Sequence, residues 1–190
     1  FFNCVSLKAV TIPSSVASIG DYAFSNCRML ESVTGGGGLE TIGVSSFNNT
    51  RELRTVQLSG SRLKTIGADA FESAFNSNTM STNQITLPST LETIGSCAFA
   101  YSKLKSIVLP GSVKTIGSAA FSGSYIQDIT LPANMPLNTI GSSVFSGSDL
   151  RSITLPNNIT SIESNAFYNC QSLSTVTFNN GLQTIGSRAF

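Results

Sequence analysis

The sequence predicts a solenoid of stacked, parallel, β-rich coils, and three observations lead there. One unit recurs along the chain: Leu104 to Phe121 reads L-K-S-I-V-L-P-G-S-V-K-T-I-G-S-A-A-F, with variants at Thr82 to Phe99 and Leu150 to Phe167. The interval between units is about 23 residues, a fixed period of the kind that marks repeat architectures. Within a unit the first half alternates apolar and polar residues, and the second half carries I-G-x-x-A-F.

The first half predicts a short strand with one buried face, because period two places alternate residues on one side. Its inward column is Val10, Val33, Val56, Ile85, Ile107, Ile129, Ile153 and Val176. Proline follows in five units, at Pro13, Pro88, Pro110, Pro132 and Pro156. Lacking a ladder donor, it ends the strand or marks its margin. A second, shorter strand is expected at Thr115-Ile116 and its equivalents.

The glycine after that strand (Gly20, Gly43, Gly67, Gly95, Gly117, Gly141, Gly186) suits a tight or left-handed turn. Glu163 breaks the column, so either a positive φ is not required there or that unit is strained. The following S-x-x-A-F segment reads as one short helical turn whose Phe fills the interior. Parallel strands stack at roughly 4.8 Å, so each Phe of the column Phe24, Phe47, Phe71, Phe99, Phe121, Phe145, Phe167 and Phe190 should lie on the next.

Eight repeats are expected in one domain, at 7–29, 30–52, 53–81, 82–103, 104–125, 126–149, 150–172 and 173–190, with both ends falling mid-repeat as in a piece of something longer. Three irregularities stand out. Gly35-Gly36-Gly37-Gly38 replaces the proline region of the second unit and predicts a flexible, weakly specified rung. An insertion runs from about Glu72 to Ser81, and a smaller one surrounds Asn134-Met135-Pro136. Solenoid insertions map to loops on one face, often the binding face. Phe75, Asn76, Asn78 and Met80 therefore form a candidate binding loop, although its apolar side chains can equally tuck back onto the coils.

Composition excludes much. Only 11% of residues are charged, against 41% hydrophobic, and the net charge is +1. No global field exists to attract nucleic acid or anionic lipid, and no apolar run reaches the ~18 residues of a membrane span. The chain has no histidine, so Ser/His/Asp and Cys/His catalysis and His-based metal sites are ruled out within it. Its ten carboxylates form no paired pattern, and the glycine run lacks the Lys-Ser/Thr of a phosphate loop. No enzyme activity, cofactor or metal is expected. Cys4, Cys27, Cys97 and Cys170 contain no C-x-x-C. Cys4, Cys27 and Cys170 share a column with Thr50, Ser124 and Ser148, which reads as a small buried position. Cys4 and Cys27 stand on adjacent rungs within disulfide reach, so a disulfide between them is the alternative. Asn48-Asn49-Thr50 and Asn158-Ile159-Thr160 are glycosylation sequons, relevant only in a eukaryotic secretory route.

The unit L-x-x-I-x-L-P-x-x-L-x-x-I-G-x-x-A-F-x-x-C, as at Leu7 to Cys27 and Leu150 to Cys170, resembles the BspA-like, treponemal-type leucine-rich repeats. The resemblance covers nearly the whole chain; it departs at Gly35 to Gly38, at the Glu72 insertion and at Glu163, and lacks the Asn ladder of common leucine-rich repeats. It implies a right-handed leucine-rich-repeat solenoid with a parallel sheet on one face. Such proteins resemble cell-surface or secreted adhesins, so the resemblance implies a protein or glycan partner on a host or neighbouring cell.

The outward positions of the first strand supply a candidate partner-binding face: Gln84, Thr86, Ser106, Val108, Asp128, Thr130, Ser152 and Thr154. Threonine also suits an exposed strand with no ligand at all. Arg54, Arg62, Lys64, Lys103, Lys105 and Lys114 make a possible mild basic cluster. Two functions follow: an adhesion or protein-binding module, or a passive spacer that presents a neighbouring domain.

Overall fold

The computed structural model describes residues 1–58, 62–76 and 84–190. Each coil contributes two strands. They run β1 (Ala9–Ile12), β2 (Ser18–Ile19), β3 (Ser32–Gly35) and β4 (Thr41–Ile42) in the first two coils. β5 (Thr55–Gln57), β6 (Thr65–Ile66), β7 (Gln84–Thr86) and β8 (Thr93–Ile94) follow. The next two coils hold β9 (Ser106–Val108), β10 (Thr115–Ile116), β11 (Asp128–Thr130) and β12 (Thr139–Ile140). The last hold β13 (Ser152–Thr154), β14 (Ser161–Ile162), β15 (Thr175–Thr177) and β16 (Thr184–Ile185).

Odd strands pair with odd and even with even, all in parallel and in the register of the repeat: Val10 opposite Val33, Ile19 opposite Ile42. Alternation puts Val33, Val56, Ile107 and Ile153 inside while their neighbours face out. Between the two strands a turn closes on the proline carbonyl, as in Val113 N–H to Pro110 O at 3.2 Å and Ile159 N–H to Pro156 O at 3.2 Å. Proline with its fixed φ opens such a turn without needing its missing donor.

The core is a stack of rings. Phe1, Phe24, Phe47, Phe71, Phe99, Phe121, Phe145, Phe167 and Phe190 follow one another with centroids 5.1–5.5 Å apart and planes within 15°. Aliphatic columns such as Ile42, Ile66 and Ile94 flank it, fully buried. One coil alone could not cover these side chains; its neighbours do.

The corner carrying the Phe column is not a helical turn. It has two left-handed residues per coil, four apart: Tyr22 and Asn26, Ser45 and Asn49, Asp69 and Ser73, Cys97 and Tyr101, Ala119 and Gly123. With this alternation every second N–H turns out of the coil and bonds to the next coil. Tyr22, Phe24 and Asn26 donate to the carbonyls of Val44, Ser46 and Asn48 at 2.8–2.9 Å. The residues between them donate back three positions, as Ser25 does to Tyr22 at 3.1 Å. A helical turn would have kept those bonds within one coil and left neighbouring coils joined only by side chains at this corner. Repetition builds three columns of hydrogen-bonded peptides along the solenoid axis, each of seven successive bonds. They run unbroken from the first coil to the last. The ladders do not: pairing lapses between β7 and β9, between β11 and β13, and between β10 and β12.

The glycine column has a different cause from the one expected. None of its members has a positive φ. A Cβ on Gly67, Gly95 or Gly117 would instead lie 2.4–2.7 Å from backbone atoms of the preceding coil. These glycines permit close approach rather than a left-handed turn, so Glu163 in the same column needs no positive φ. Its carboxylate accepts the Ser142 N–H and hydroxyl, each at 2.9 Å, and Gly141 beside it has no contact tighter than 3.5 Å.

The four-glycine run is specified rather than loose. Gly35 pairs with Ile12 in the ladder, and Gly36 donates to the Ile12 carbonyl at 2.7 Å. Both have positive φ, 88° and 73°, and a Cβ on Gly35 would sit 2.3 Å from the Ile12 oxygen. Gly36 then takes the proline's place, its carbonyl accepting the Leu39 N–H at 2.9 Å.

Candidate partner-binding face

Every residue of the candidate face is exposed: Gln84, Thr86, Ser106, Val108, Asp128, Thr130, Ser152 and Thr154. The strand period places them. Ile107 and Ile153 point inward with 3% of their surface exposed, so the residues on either side must point out. Asp128 stands beside Ser106 and Thr130 beside Val108 in the β9–β11 register. Val108, at 67% exposure, is an apolar side chain at the middle of a hydroxyl-rich surface. Towards the first coils the same columns narrow: Ser32 and Thr34 are half-buried, and the Thr34 and Thr11 hydroxyls bond at 3.3 Å. The free part of the face therefore lies from β7 to β15.

The described part of the candidate loop turns inward. Phe75 is fully buried, with a left-handed φ of 58° and its ring 5.9 Å from that of Phe71. It tucks back onto the Phe stack and presents nothing to a partner. Asn76 donates its Nδ2 to the Ser73 carbonyl at 2.9 Å, closing the turn. Asn78 and Met80 lie outside the described residues. In the second insertion Met135 is fully buried and fills a core position.

The basic residues do not form one patch. Lys103 and Lys105 precede β9 and Arg54 precedes β5, whereas Lys64 and Lys114 precede β6 and β10 in the other strand series. Lys114 Nζ pairs with Glu92 at 2.7 Å, and that contact holds the Glu92 carboxyl below its usual range. Arg54 lies 3.7 Å from Glu52.

All four cysteines are free, so the Cys4–Cys27 disulfide is not present. The Cys27 thiol is turned to the Phe1 carbonyl instead, at 3.1 Å, and burial raises its pKa. Three other members of the column also donate to a Phe carbonyl. Thr50 and Ser124 hydroxyls donate to the carbonyls of Phe47 and Phe121 at 2.6 and 2.7 Å, and the Cys170 thiol to Phe145 at 2.9 Å. The donor is not required throughout: in the same column the Ser102 hydroxyl is buried without a partner among the described residues, and Ala74 has none to give. Of the sequon asparagines, Asn48 donates to Glu72 at 2.7 Å and Asn158 is exposed.

Among the described residues no cluster of three or more Cys, Asp or Glu side chains could hold a metal, and no helix is long and apolar enough to cross a membrane. The model of the BspA type leucine rich repeat region matches residues 1–83 and 72–190, in six copies, and so spans the chain. The chain belongs to this BspA-type leucine-rich repeat family. No curated protein matches it. A leucine-rich repeat protein from Bacteroides ovatus is similar to it in structure, with a TM-score of 0.82 and 29% identity over 98% of this chain. The chain spans 49% of that protein's length. The leucine-rich repeat protein of Treponema pallidum shares the fold at a TM-score of 0.64 and 22% identity, over 95% of this chain and 73% of that one. In this BspA-type chain the recurrent L-P, I-G and A-F elements correspond to three physical devices: the proline turn, the close approach between coils, and the ring stack with its peptide columns.

Proposed function

We propose that this chain is a non-catalytic, protein-binding repeat module, secreted or held at a cell surface, that takes part in adhesion through the face of the odd-numbered strands. The observation that carries this is the eight-residue exposed surface from Gln84 to Thr154, in which Asp128 is the one charged residue. Family membership supports the surface setting. Interfaces of this kind gain affinity from a few central anchors ringed by near-neutral contacts. Val108, flanked by Thr86 and Thr130, has that arrangement.

The experiment is interferometry of the purified chain over immobilised extracellular matrix proteins at two salt concentrations. Saturable binding with weak salt dependence is expected, because the face is nearly neutral. Val108→Arg with Thr130→Arg should abolish it while circular dichroism stays unchanged. Full binding by that variant removes the face from the proposal. A second reading, a passive spacer, is favoured by the unbroken peptide columns, which make a stiff rod; a folded chain that binds no matrix protein selects it.

A further inference from the structure

The residue after each column glycine begins the corner, and its N–H takes no part in the peptide columns. In two coils a carboxylate of the chain itself accepts that N–H. Val44 donates to Asp21 Oδ1 at 2.7 Å, from the preceding coil. The Ser142 N–H and hydroxyl both donate to Glu163 Oε2 at 2.9 Å, from the following coil. The two carboxylates belong to different columns and approach from opposite sides, yet they reach the same backbone donor. The bare glycine makes room for the oxygen: a Cβ on Gly43 would stand 2.6 Å from Asp21 Oδ1. Ser96 and Ser118 hold the equivalent place after Gly95 and Gly117, in adjacent coils. Both are exposed, and neither their N–H groups nor their hydroxyls have a partner among the described residues. With Ser142 they make three consecutive Gly–Ser forks, and the third already grips a carboxylate.

We propose that the Ser96 and Ser118 forks bind an acidic α-helix of a partner protein, lying along the solenoid axis with one Asp or Glu carboxylate on each fork. The chemistry is the one Glu163 satisfies at Ser142: an N–H and an O–H on one carboxylate oxygen, each bond strengthened by the acceptor's charge. The spacing selects a helix. Successive coils stand roughly 4.8 Å apart, and side chains three or four apart on a helix face are about 5–6 Å apart, so adjacent turns reach adjacent forks. Same-face residues of an extended strand are about 6.8 Å apart and fall out of step by about 2 Å at every coil. Burial, then the nearby Asp69 and Glu72, raise the pKa of the Cys97 thiol, which follows Ser96. Those two carboxylates also oppose an anion at Ser96, so Ser118 is the tighter fork.

The test titrates the isotope-labelled full chain with a lactam-stapled, alanine-based helix carrying Glu at i and i+4, followed by amide resonances, with the Gln version as control. The Ser118 amide, and the Ser96 amide to a lesser extent, should shift saturably with the Glu helix alone, and added salt should weaken the binding. Gly141 precedes Ser142 as Glu163 precedes Ser164, and a Cβ there meets nothing closer than 3.5 Å. Gly141→Glu should therefore cap Ser118 from within, as Glu163 caps Ser142, and weaken the helix by about tenfold. Gly141→Ala controls for bulk. Glu163→Ala uncovers the Ser142 fork and should tighten a helix with a third Glu at i+7. Overturning results are no shift at either serine, equal shifts with the Gln helix, equal loss in Gly141→Ala and Gly141→Glu, or binding of polygalacturonate in place of the helix. The forks follow the even strands, so failure here leaves the odd-strand face untouched.

Discussion

Phe121 stacks on Phe145 with ring centres 5.5 Å apart and planes 9° from parallel, both rings sealed from solvent. Phe121 also stacks on Phe99 at 5.4 Å, so removing it opens the stack on both sides. Phe121→Ala should cost about 3–5 kcal/mol. Phe190 is half exposed and has one stacked neighbour, Phe167, so Phe190→Ala should cost far less. Urea melts compare the two, and equal losses would refute the ring stack as the source of coil cohesion.

Ser46 occupies the column that holds Ala70, Ala98 and Ala120 elsewhere, and its hydroxyl is buried without a partner among the described residues. An unsatisfied buried hydroxyl is destabilising, so Ser46→Ala should raise stability by about 1 kcal/mol. A lower urea midpoint in the variant would mean that the hydroxyl has a partner after all.

Glycines predict a graded series. Gly35→Ala forces a Cβ against the Ile12 carbonyl at a φ of +88°, and should cost at least about 2 kcal/mol. Gly95→Ala collides with Gly67 and Ala68 backbone at 2.5 Å and should also be severe. Nothing lies within 4 Å of a Cβ on Gly20, so Gly20→Ala should be near neutral. Thermal melts of the three variants should preserve this contrast between Gly20 and the other two.

Burial, and then the nearby Asp69, push the Glu72 carboxyl up, outweighing the hydrogen bond from Asn48. A raised carboxyl pKa means that the folded protein disfavours the charged form, so stability falls as pH rises through the folded pKa. Glu72→Gln keeps an acceptor for Asn48 without the charge. It should melt higher than the parent at pH 7, and the gap should close below about pH 4, where the parent carboxyl is protonated. A gap that persists in acid would place the gain in packing instead.

The strands, their register and the ring stack were legible because each depends on a column repeated at one interval. Period two fixes that Thr86 and Thr130 point outward, so their exposure was legible too. The corner was not. Its left-handed positions are held by residues such as Tyr22 and Ala119, which give no backbone signal, because the pull of the next coil decides their conformation. The recurring Asn at positions 3, 26, 49 and 169 was the available hint, since Asn enters that region readily. The glycine column misled for a related reason: glycine serves close approach as well as positive φ, and only the neighbouring coil distinguishes them. Phe75 was ambiguous because a loop phenylalanine looks the same in sequence whether it points out or in.

The peptide columns at the corner have an electrical counterpart across the coil. Each corner unit, such as Val44–Ser45, turns its carbonyl towards the N-terminal side and its N–H towards the C-terminal side, bonding to Tyr22 and Ala68 in turn. Units such as Ile42–Gly43, at the end of the even strands, run the other way: Gly43 donates to Ile19 of the preceding coil and Ile42 accepts from Gly67 of the next. Peptide dipoles of about 3.5 D therefore oppose one another across the coil. Adding repeats should not build up a large axial moment, and transient electric birefringence of chains of different length checks this; a moment that grows in proportion to repeat number would overturn it.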